Sequence, residues 1–540
     1  MPTYLTNSNQ TTTQTMTNGE QLTLTPLGNI FAQGTGIAAS NDGRITVSGG
    51  VYSGSNTIDQ SSTVADGVLE ILVTRTGSIL ANNVAIYAFD SSNERISVTN
   101  AGQIISASTP FYLMADTIDI VNTGEIHGGG SPYSGALWLT DTRVYEAAAP
   151  AGRITVQNTG IISAVNTDAN PYATIYAWSA AEFVLNNSGD ILSDQHAVAF
   201  TDIDTARITN SGLIDGRIRA EVGSDTVILT NTGTIGADDT GRSLWIESVS
   251  ALINNAGTLT GSAVFNANTA AGFTNTGQVL GDVEFGNQDD VYLSSGAGIV
   301  TGTVYGGGGA DLLRGGELDD RFDGGDGNDT LRGAGGDDDL YGNNNDDRMF
   351  GGDGNDTMNG GNGADTIIGD AGDDQLLGRA GDDFGRGGDG NDIIYAGANN
   401  DWFYGGFGND TLYGEGGDDR LYGDAGDDEI DGGAGRDVIY TGDGLDVIIF
   451  NSAADSAVGA QRDVIYDFEQ GSDLIDVTGV VGGLFSFVGT GAFTGTANEI
   501  RLIESGGSTR VQMDTDADGT VDSEIFLKGA VGLTADDFLL

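Results

Sequence analysis

The sequence predicts an all-β fold in which an N-terminal parallel β-helix is followed by a parallel β-roll and a small β C-terminal cap. Three observations carry that prediction. From Gly306 to Ile449 the chain repeats in strict steps of nine, sixteen times over 144 residues, as G-G-x-G-x-D-x-U-x with U a large apolar residue. Ahead of it a shorter motif, apolar-x-Asn-(Ala/Ser/Thr)-Gly-x-(Ile/Leu/Val), returns at spacings of 20 to 36 residues. Glycine makes up 88 of 540 residues while 38% of the chain is hydrophobic, a mixture suited to stacked coils around a thin apolar interior. A chain of this length is expected to hold more than one domain. The expected divisions are a β-helix over 1–285, a β-roll over 286–450 and a cap over 451–540.

Within 1–285, a polar lead-in precedes copies of the motif at Asn100, Asn122, Asn158, Asn187, Asn210, Asn231, Asn255 and Asn275, with Val47 and Arg75 in the Asn place of two earlier copies. A period of roughly 20–25 residues with some longer rungs is one coil of a parallel β-helix, about ten coils in all. Between the motifs lies a second apolar column rich in aromatics: Ile86-Tyr87-Ala88, Phe111-Tyr112-Leu113, Leu137-Trp138-Leu139, Ile175-Tyr176-Ala177 and Leu244-Trp245-Ile246. Its alternation and β-branched content read as strands. Stacked Asn amides can hydrogen-bond from coil to coil, a structural role, with ligand binding as the alternative. Tyr133 and Tyr172, near rung loops, are candidates for stacking on sugars or are plain surface residues. This region resembles autotransporter-like and adhesin β-helices.

In each nonad of 306–449, glycines at positions one, two and four allow a tight turn with φ > 0. Position six never varies: it is Asp311, Asp320, Asp329, Asp338, Asp347, Asp356, Asp365, Asp374, Asp383, Asp392, Asp401, Asp410, Asp419, Asp428, Asp437 and Asp446. Position eight points inward from a short strand, with Gly385 leaving a gap in that column. Carboxylates gathered on flexible carbonyl-rich turns suit Ca²⁺, which takes six to eight oxygens, better than Mg²⁺. With no Cys and two His, zinc and copper are disfavoured. At position four, Asn345 and Asn399 replace glycine and tolerate the left-handed region. Leu318 tolerates it poorly, which sets the loop of Asp320 apart.

The stretch resembles the RTX ("repeats in toxin") calcium-binding array. That resemblance implies two nonads per turn of a parallel β-roll and an ion between loops two nonads apart, held by loop carbonyls and both position-six carboxylates. Sixteen nonads then offer at most fourteen such pairs. Residues 306–449 carry a net 27 negative charges, close to the charge of fourteen Ca²⁺ ions. Without calcium such an array repels itself, so binding and folding are expected to be one event. Gly286 to Leu293 reads as an imperfect nonad, with a transition strand after it that could join the two solenoids into one rod.

Past the array, Arg462 to Asp476 resembles the segment that follows the nonads in serralysin-type secreted proteins. The end, Leu533 to Leu540, with its acidic pair before a short apolar run, is similar to an uncleaved type I secretion signal. These resemblances imply export through type I machinery and folding on calcium outside the cell. The polar, Thr/Asn-rich residues 1–21 do not read as a Sec signal peptide, and absent cysteine excludes disulfides. Asp514-Thr515-Asp516-Ala517-Asp518-Gly519 matches the start of an EF-hand loop, but Ile525 stands at position twelve. It reads as a β-turn or as a weak calcium site.

A formal charge of −57 and a single lysine, Lys528, make nucleic acid a poor partner, and no apolar stretch is long enough to span a membrane. Protease chemistry of the serralysin kind needs H-E-x-x-H, whereas His127 and His196 stand far apart and read as turn or surface residues. No Gly-x-Ser-x-Gly elbow is present. Tyr87, Tyr176, Asp194 and His196 are the acid/base candidates, without a groove to unite them. The reading is therefore not an enzyme. It is a secreted calcium-binding structural or interaction protein of the bacterial cell surface or matrix, as surface layer (S-layer), fibre or adhesin, with self-association or cell-surface polysaccharide as partner. The alternative is an extracellular polysaccharide-modifying enzyme of epimerase or lyase type with an RTX export module.

Overall fold

A computed structural model describes only strands up to residue 42. Beyond that it describes every residue except 54–56, 61–66, 90–92, 130–134, 141–151, 166–172, 267 and 496–497. The chain is a β-solenoid, and among the described residues the helical pieces are two 3-10 turns, Gly459–Gln461 and Ala535–Asp537. No helix of the described residues is long and apolar enough to cross a membrane. There are two compact units: Met1–Leu293 with Gly298–Thr303, and Ser294–Ala297 with Val304–Leu540.

The first unit has three parallel ladders. One runs through Thr3–Leu5, Glu20–Leu24, Gly43–Val47, Gly67–Val73, Asn93–Asn100 and Thr117–Asn122, and onward to Ala270–Asn275, each strand pairing parallel with the next. The polar lead-in thus already belongs to the ladder. Alternation places Ile96, Val98, Ile118, Ile120, Ile154 and Val156 inside, all fully buried. From Asn93–Asn100 onward each strand ends on the Asn of the motif. Asn100 Nδ2 donates to Asn122 Oδ1 at 2.8 Å, and the same bond recurs at 2.8–2.9 Å through Asn158, Asn187, Asn210, Asn231 and Asn255 to Asn275.

Two details differ from expectation. The residue in register with Asn100 and Val47 is Val73, not Arg75. The inward alternation of Ile71 and Val73 sets that register. The aromatic column also divides by face. Ile86, Phe111, Leu137 and Ile175 are buried, while their neighbours Tyr87, Tyr112, Trp138 and Tyr176 form an outward row with ring centroids 5.2–6.1 Å apart.

In the second unit every strand pairs with the one two nonads later, as Thr330–Gly335 does with Arg348–Asp353 and then Thr366–Ala371. Two parallel sheets result, with position eight between them: Leu331, Leu340, Met349, Met358 and Ile367 are fully buried. The gap expected at Gly385 is filled. A Cβ there would strike the ring of Phe403, its partner on the next strand, so the larger ring has taken the missing side chain's volume. The ladders continue past the nonads. Val464–Tyr466 and Leu474–Asp476 add to Val438–Tyr440 and Val447–Ile449. They then pair with Ser523–Lys528 and Phe538–Leu539, and an antiparallel meander of Glu499–Ser505, Ser508–Asp514 and Ser523–Lys528 closes the end.

Candidate metal centre

All sixteen position-six Asp side chains are buried, none more than 5% exposed. The strand after each loop holds the Asp against the loop two nonads away. Asp311 N–H donates to Asp329 Oδ1, Asp320 N–H to Asp338 Oδ1, and so on to Asp428 and Asp446, at 2.6–2.9 Å. The sixteen carboxylates therefore form two columns. One runs from Asp311 through Asp329, Asp347, Asp365, Asp383, Asp401 and Asp419 to Asp437. The other runs from Asp320 through Asp338, Asp356, Asp374, Asp392, Asp410 and Asp428 to Asp446.

From Asp329 onward one oxygen of each carboxylate is thereby satisfied. The other is not: from Asp329 to Asp446, every Oδ2 is buried and has no hydrogen-bond partner among the described residues. A buried carboxylate oxygen without a donor is costly, and a whole column of them fits a bound cation. The first glycine of the loop makes room for it. A Cβ on Gly324 would lie 2.5 Å from Asp329 Oδ2, so only glycine leaves that oxygen its place.

Loop geometry follows the stacking rather than the individual residue. Positions two and four are left-handed, as at Gly325 (φ 104°) and Gly327 (φ 132°). Position two keeps that conformation even at Asp370 (76°), Arg379 (81°) and Glu415 (65°), where it costs on the order of 1–2 kcal/mol per residue. At position four, Asn345 (77°) and Asn399 (89°) conform. Leu318 has no left-handed φ and its loop refolds. Leu318 is exposed, and Asp320 Oδ2 accepts the Gly316 N–H at 2.9 Å. That carboxylate is turned onto its own loop.

Burial is the main cause of raised carboxyl pKa values along the columns, opposed by the N–H bond and reinforced by neighbouring carboxylates. Asp329 and Asp365 are pushed up to about 6, Asp419 to about 7, and Asp338, Asp347, Asp374 and Asp401 to about 8. Asp437, with Asp463 as the second cause, reaches about 9. Such groups bind a proton or a cation in preference to standing ionised alone. The donors are carboxylate and backbone oxygens with no sulfur or imidazole among them, a set that fits a hard cation of the calcium kind.

Two members of the columns lie beyond the nonads and escaped the sequence reading. Asp437 N–H donates to Asp463 Oδ1 at 2.8 Å, and Asp446 N–H to Asp473 Oδ1 at 3.3 Å. The signal was present: Asp463-Val464-Ile465-Tyr466 repeats Asp437-Val438-Ile439-Tyr440, but the loop before it is not a nonad.

The other candidates separate. The Asp514–Gly519 loop is the connection of an antiparallel hairpin. Asp514, Asp516 and Asp522 can each bring an oxygen within 4.8 Å of the others. Asp514 already accepts the Gly519 and Asp518 N–H groups, and Asp522 that of Thr515. His127 lies on the outward face between Ser163 and Glu125. His196, expected at a turn or the surface, is buried against Arg217, which pairs with Asp238 at 2.8 Å and packs over Trp245. It lies within the strand Asp190–Asn210, whose pairing register shifts at His196. Tyr87 and Tyr176 share the outward aromatic row, and Asp194 is exposed. Tyr133 and Tyr172 lie outside the described residues.

Comparison with known proteins adds three findings. Residues 305–448 match the family model of the RTX calcium-binding nonapeptide repeat (4 copies) in overlapping windows. Two solution structures from the Azotobacter vinelandii mannuronan C5-epimerase are similar to part of the chain. The AlgE6R3 subunit is 33% identical with a TM-score of 0.21, over 26% of this chain and 78% of the subunit. The AlgE6R2 subunit is 30% identical with a TM-score of 0.20, over 32% and 91%. No curated protein matches the chain.

Proposed function

Residues 305–448 are RTX calcium-binding nonapeptide repeats, and from that premise we propose that the chain is a secreted structural or interaction protein that becomes rigid on binding calcium outside the cell. The sixteen position-six carboxylates, with loop carbonyls, are its ligands, and up to about fourteen ions fill the roll. The observation that carries this reading is the double column of buried carboxylates whose second oxygens lack a donor. Where free calcium is scarce, these groups repel one another. Where it is plentiful, the ions supply the attraction that a thin apolar interior cannot.

An interaction role is supported by the unlike outward faces of the roll. One face presents, strand after strand, Leu312–Thr330–Arg348–Thr366–Phe384–Trp402–Arg420–Val438 and Arg314–Arg332–Phe350–Ile368–Arg386–Tyr404–Tyr422–Tyr440. Neither row holds an acidic residue, in a chain of net charge −57. The opposite face carries Asp323, Asp339, Glu429 and Asp431. A basic, aromatic stripe on so acidic a chain suits an acidic cell-surface polysaccharide.

Electron microscopy of the purified chain in calcium and in EGTA, with co-sedimentation on an acidic polysaccharide, tests both halves. Calcium-dependent particles that bind the glycan, and bind it less after Arg332→Ser and Arg386→Ser, are expected. Identical particles with and without EGTA would end the calcium half of the proposal, and an unaltered glycan interaction in the variants would end the other half.

A further inference from the structure

The nonads end at Ile449 and the family match at residue 448, but the carboxylate column does not end there. We infer that Asp437 and Asp463 form a further calcium site, in which the longer loop 450–462 takes the place of a nonad turn and the ion joins the roll to its C-terminal cap. This rests on the calcium reading above.

The geometry of the pair repeats that of the nonads across a longer step. Asp463 Oδ1 accepts the Asp437 N–H over 26 residues at 2.8 Å, where the nonads do so over 18. Asp437 is 0% and Asp463 1% exposed, and Oδ2 of both has no hydrogen-bond partner among the described residues. Ser456 Oγ donates to the Glu524 carbonyl and accepts the Asp463 N–H, and its nearness to the Asp463 carboxylate opposes the rise in that group's pKa. Ser456 also stands in bridge register with Gly435, where a nonad would have its position-four residue. The electrostatics agree. Burial raises Asp437 to about 9 and Asp463 to about 7, with Asp419 and Asp418 adding to the repulsion at Asp437 and Asp455 and Asp418 to that at Asp463. Arg462, the adjacent cation, is bound to Glu524.

The other column shows what an ordinary ending looks like. Asp473 Oδ1 accepts from Asp446, and its Oδ2 is taken by the Glu469 N–H at 2.7 Å. That carboxylate is satisfied by protein alone and needs no ion. Asp463 lies directly before Val464–Tyr466, the strand that pairs with Phe526–Lys528 of the closing meander, and its carbonyl accepts the Phe526 N–H. An ion at Asp463 therefore ties calcium to closure of the end.

The test is the calcium content of the full chain, by isothermal titration and elemental analysis, for Asp463→Asn, Asp365→Asn and Asp473→Asn. Asparagine keeps the oxygen that accepts the N–H in each. Asp463→Asn is expected to lose one ion per chain, Asp365→Asn to lose ions from the middle of the roll, and Asp473→Asn to lose none. If Asp365→Asn loses ions and Asp463→Asn does not, the site at Asp463 is overturned while the calcium reading stands. If neither does, the calcium reading itself falls. Hydrogen exchange on the unaltered chain gives a second readout should Asp463→Asn not fold. Protection of residues 463–466 and 523–528 is expected to rise with calcium, and full protection of both in EGTA would overturn the site.

Discussion

The two units stack coils by the same device, a column of identical side chains reaching from turn to turn, and differ by one atom in each. In the first unit the column is Asn, and an amide both donates and accepts. Asn187 takes a bond from Asn158 and gives one to Asn210, each at 2.8 Å. The chain of bonds closes on itself without any ion. In the second unit the column is Asp, which when ionised only accepts. Asp365 receives the Asp347 N–H on one oxygen and has no donor for the other. Replacing NH₂ by O⁻ turns a self-sufficient ladder into one that needs a cation or a proton. The first column is complete in its own hydrogen bonds, and the second leaves one oxygen of each carboxylate from Asp329 to Asp446 for a cation or a proton.

The strongest way to break that comparison is chelation. In EGTA at pH 8 the second unit is expected to lose its β-structure and the first to retain it. Hydrogen exchange would show residues 304–480 exposed and residues 93–129 protected. Equal protection of both would mean that the carboxylate column is held by something other than metal.

Next in size is pH, with calcium removed. The column carboxylates lie above their ordinary 3.8 in the folded state, at about 6 to about 9. Protonation therefore favours the metal-free fold. That stabilisation is complete below about 3.8 and is lost as pH rises through about 6 to about 9. Far-UV circular dichroism in EGTA is expected to show more β-structure at pH 4.5 than at pH 8. With calcium present the sign reverses for binding, since protons compete for the same oxygens, and calcium affinity is expected to fall between pH 8 and pH 5.

A single change in the amide column sharpens the contrast. Asn187→Ala leaves buried partners unsatisfied on both neighbouring coils, at a cost of about 1–3 kcal/mol. The loss in melting temperature of the first unit should be the same in calcium and in EGTA. Dependence on calcium would show that the amide column is not autonomous. The smallest effect is expected at Lys528, whose Nζ lies 4.3 Å from the Tyr466 ring centroid. It closes a tyrosine stack in which Tyr404, Tyr422, Tyr440 and Tyr466 follow one another at 4.5–4.6 Å. Lys528→Ala should cost about 0.5–1 kcal/mol in the calcium-loaded melt, and no measurable change would mean the stack ends without need of a cation.

The repeat alone determined the periodic part of this protein. An invariant Asp every nine residues and an Asn in every coil from Asn100 to Asn275 mean that equivalent residues meet, because a coil can only stack on its neighbour at the chain's own period. The two solenoids, the buried column of Leu331, Met349 and Ile367, and the position-six carboxylates were all legible in that way. Tertiary structure decided whatever breaks the period. Val73 rather than Arg75 joins the Asn register because inward alternation outranks a motif match. Phe403 fills the space left by Gly385 because packing conserves volume, not position. Asp463 and Asp473 enter the columns over 26 and 27 residues, and of these Asp473 alone has both oxygens met by protein. No spacing rule could have told them apart. Whether a carboxylate finds an N–H depends on where the backbone of another loop arrives, and that is settled only when the chain has folded.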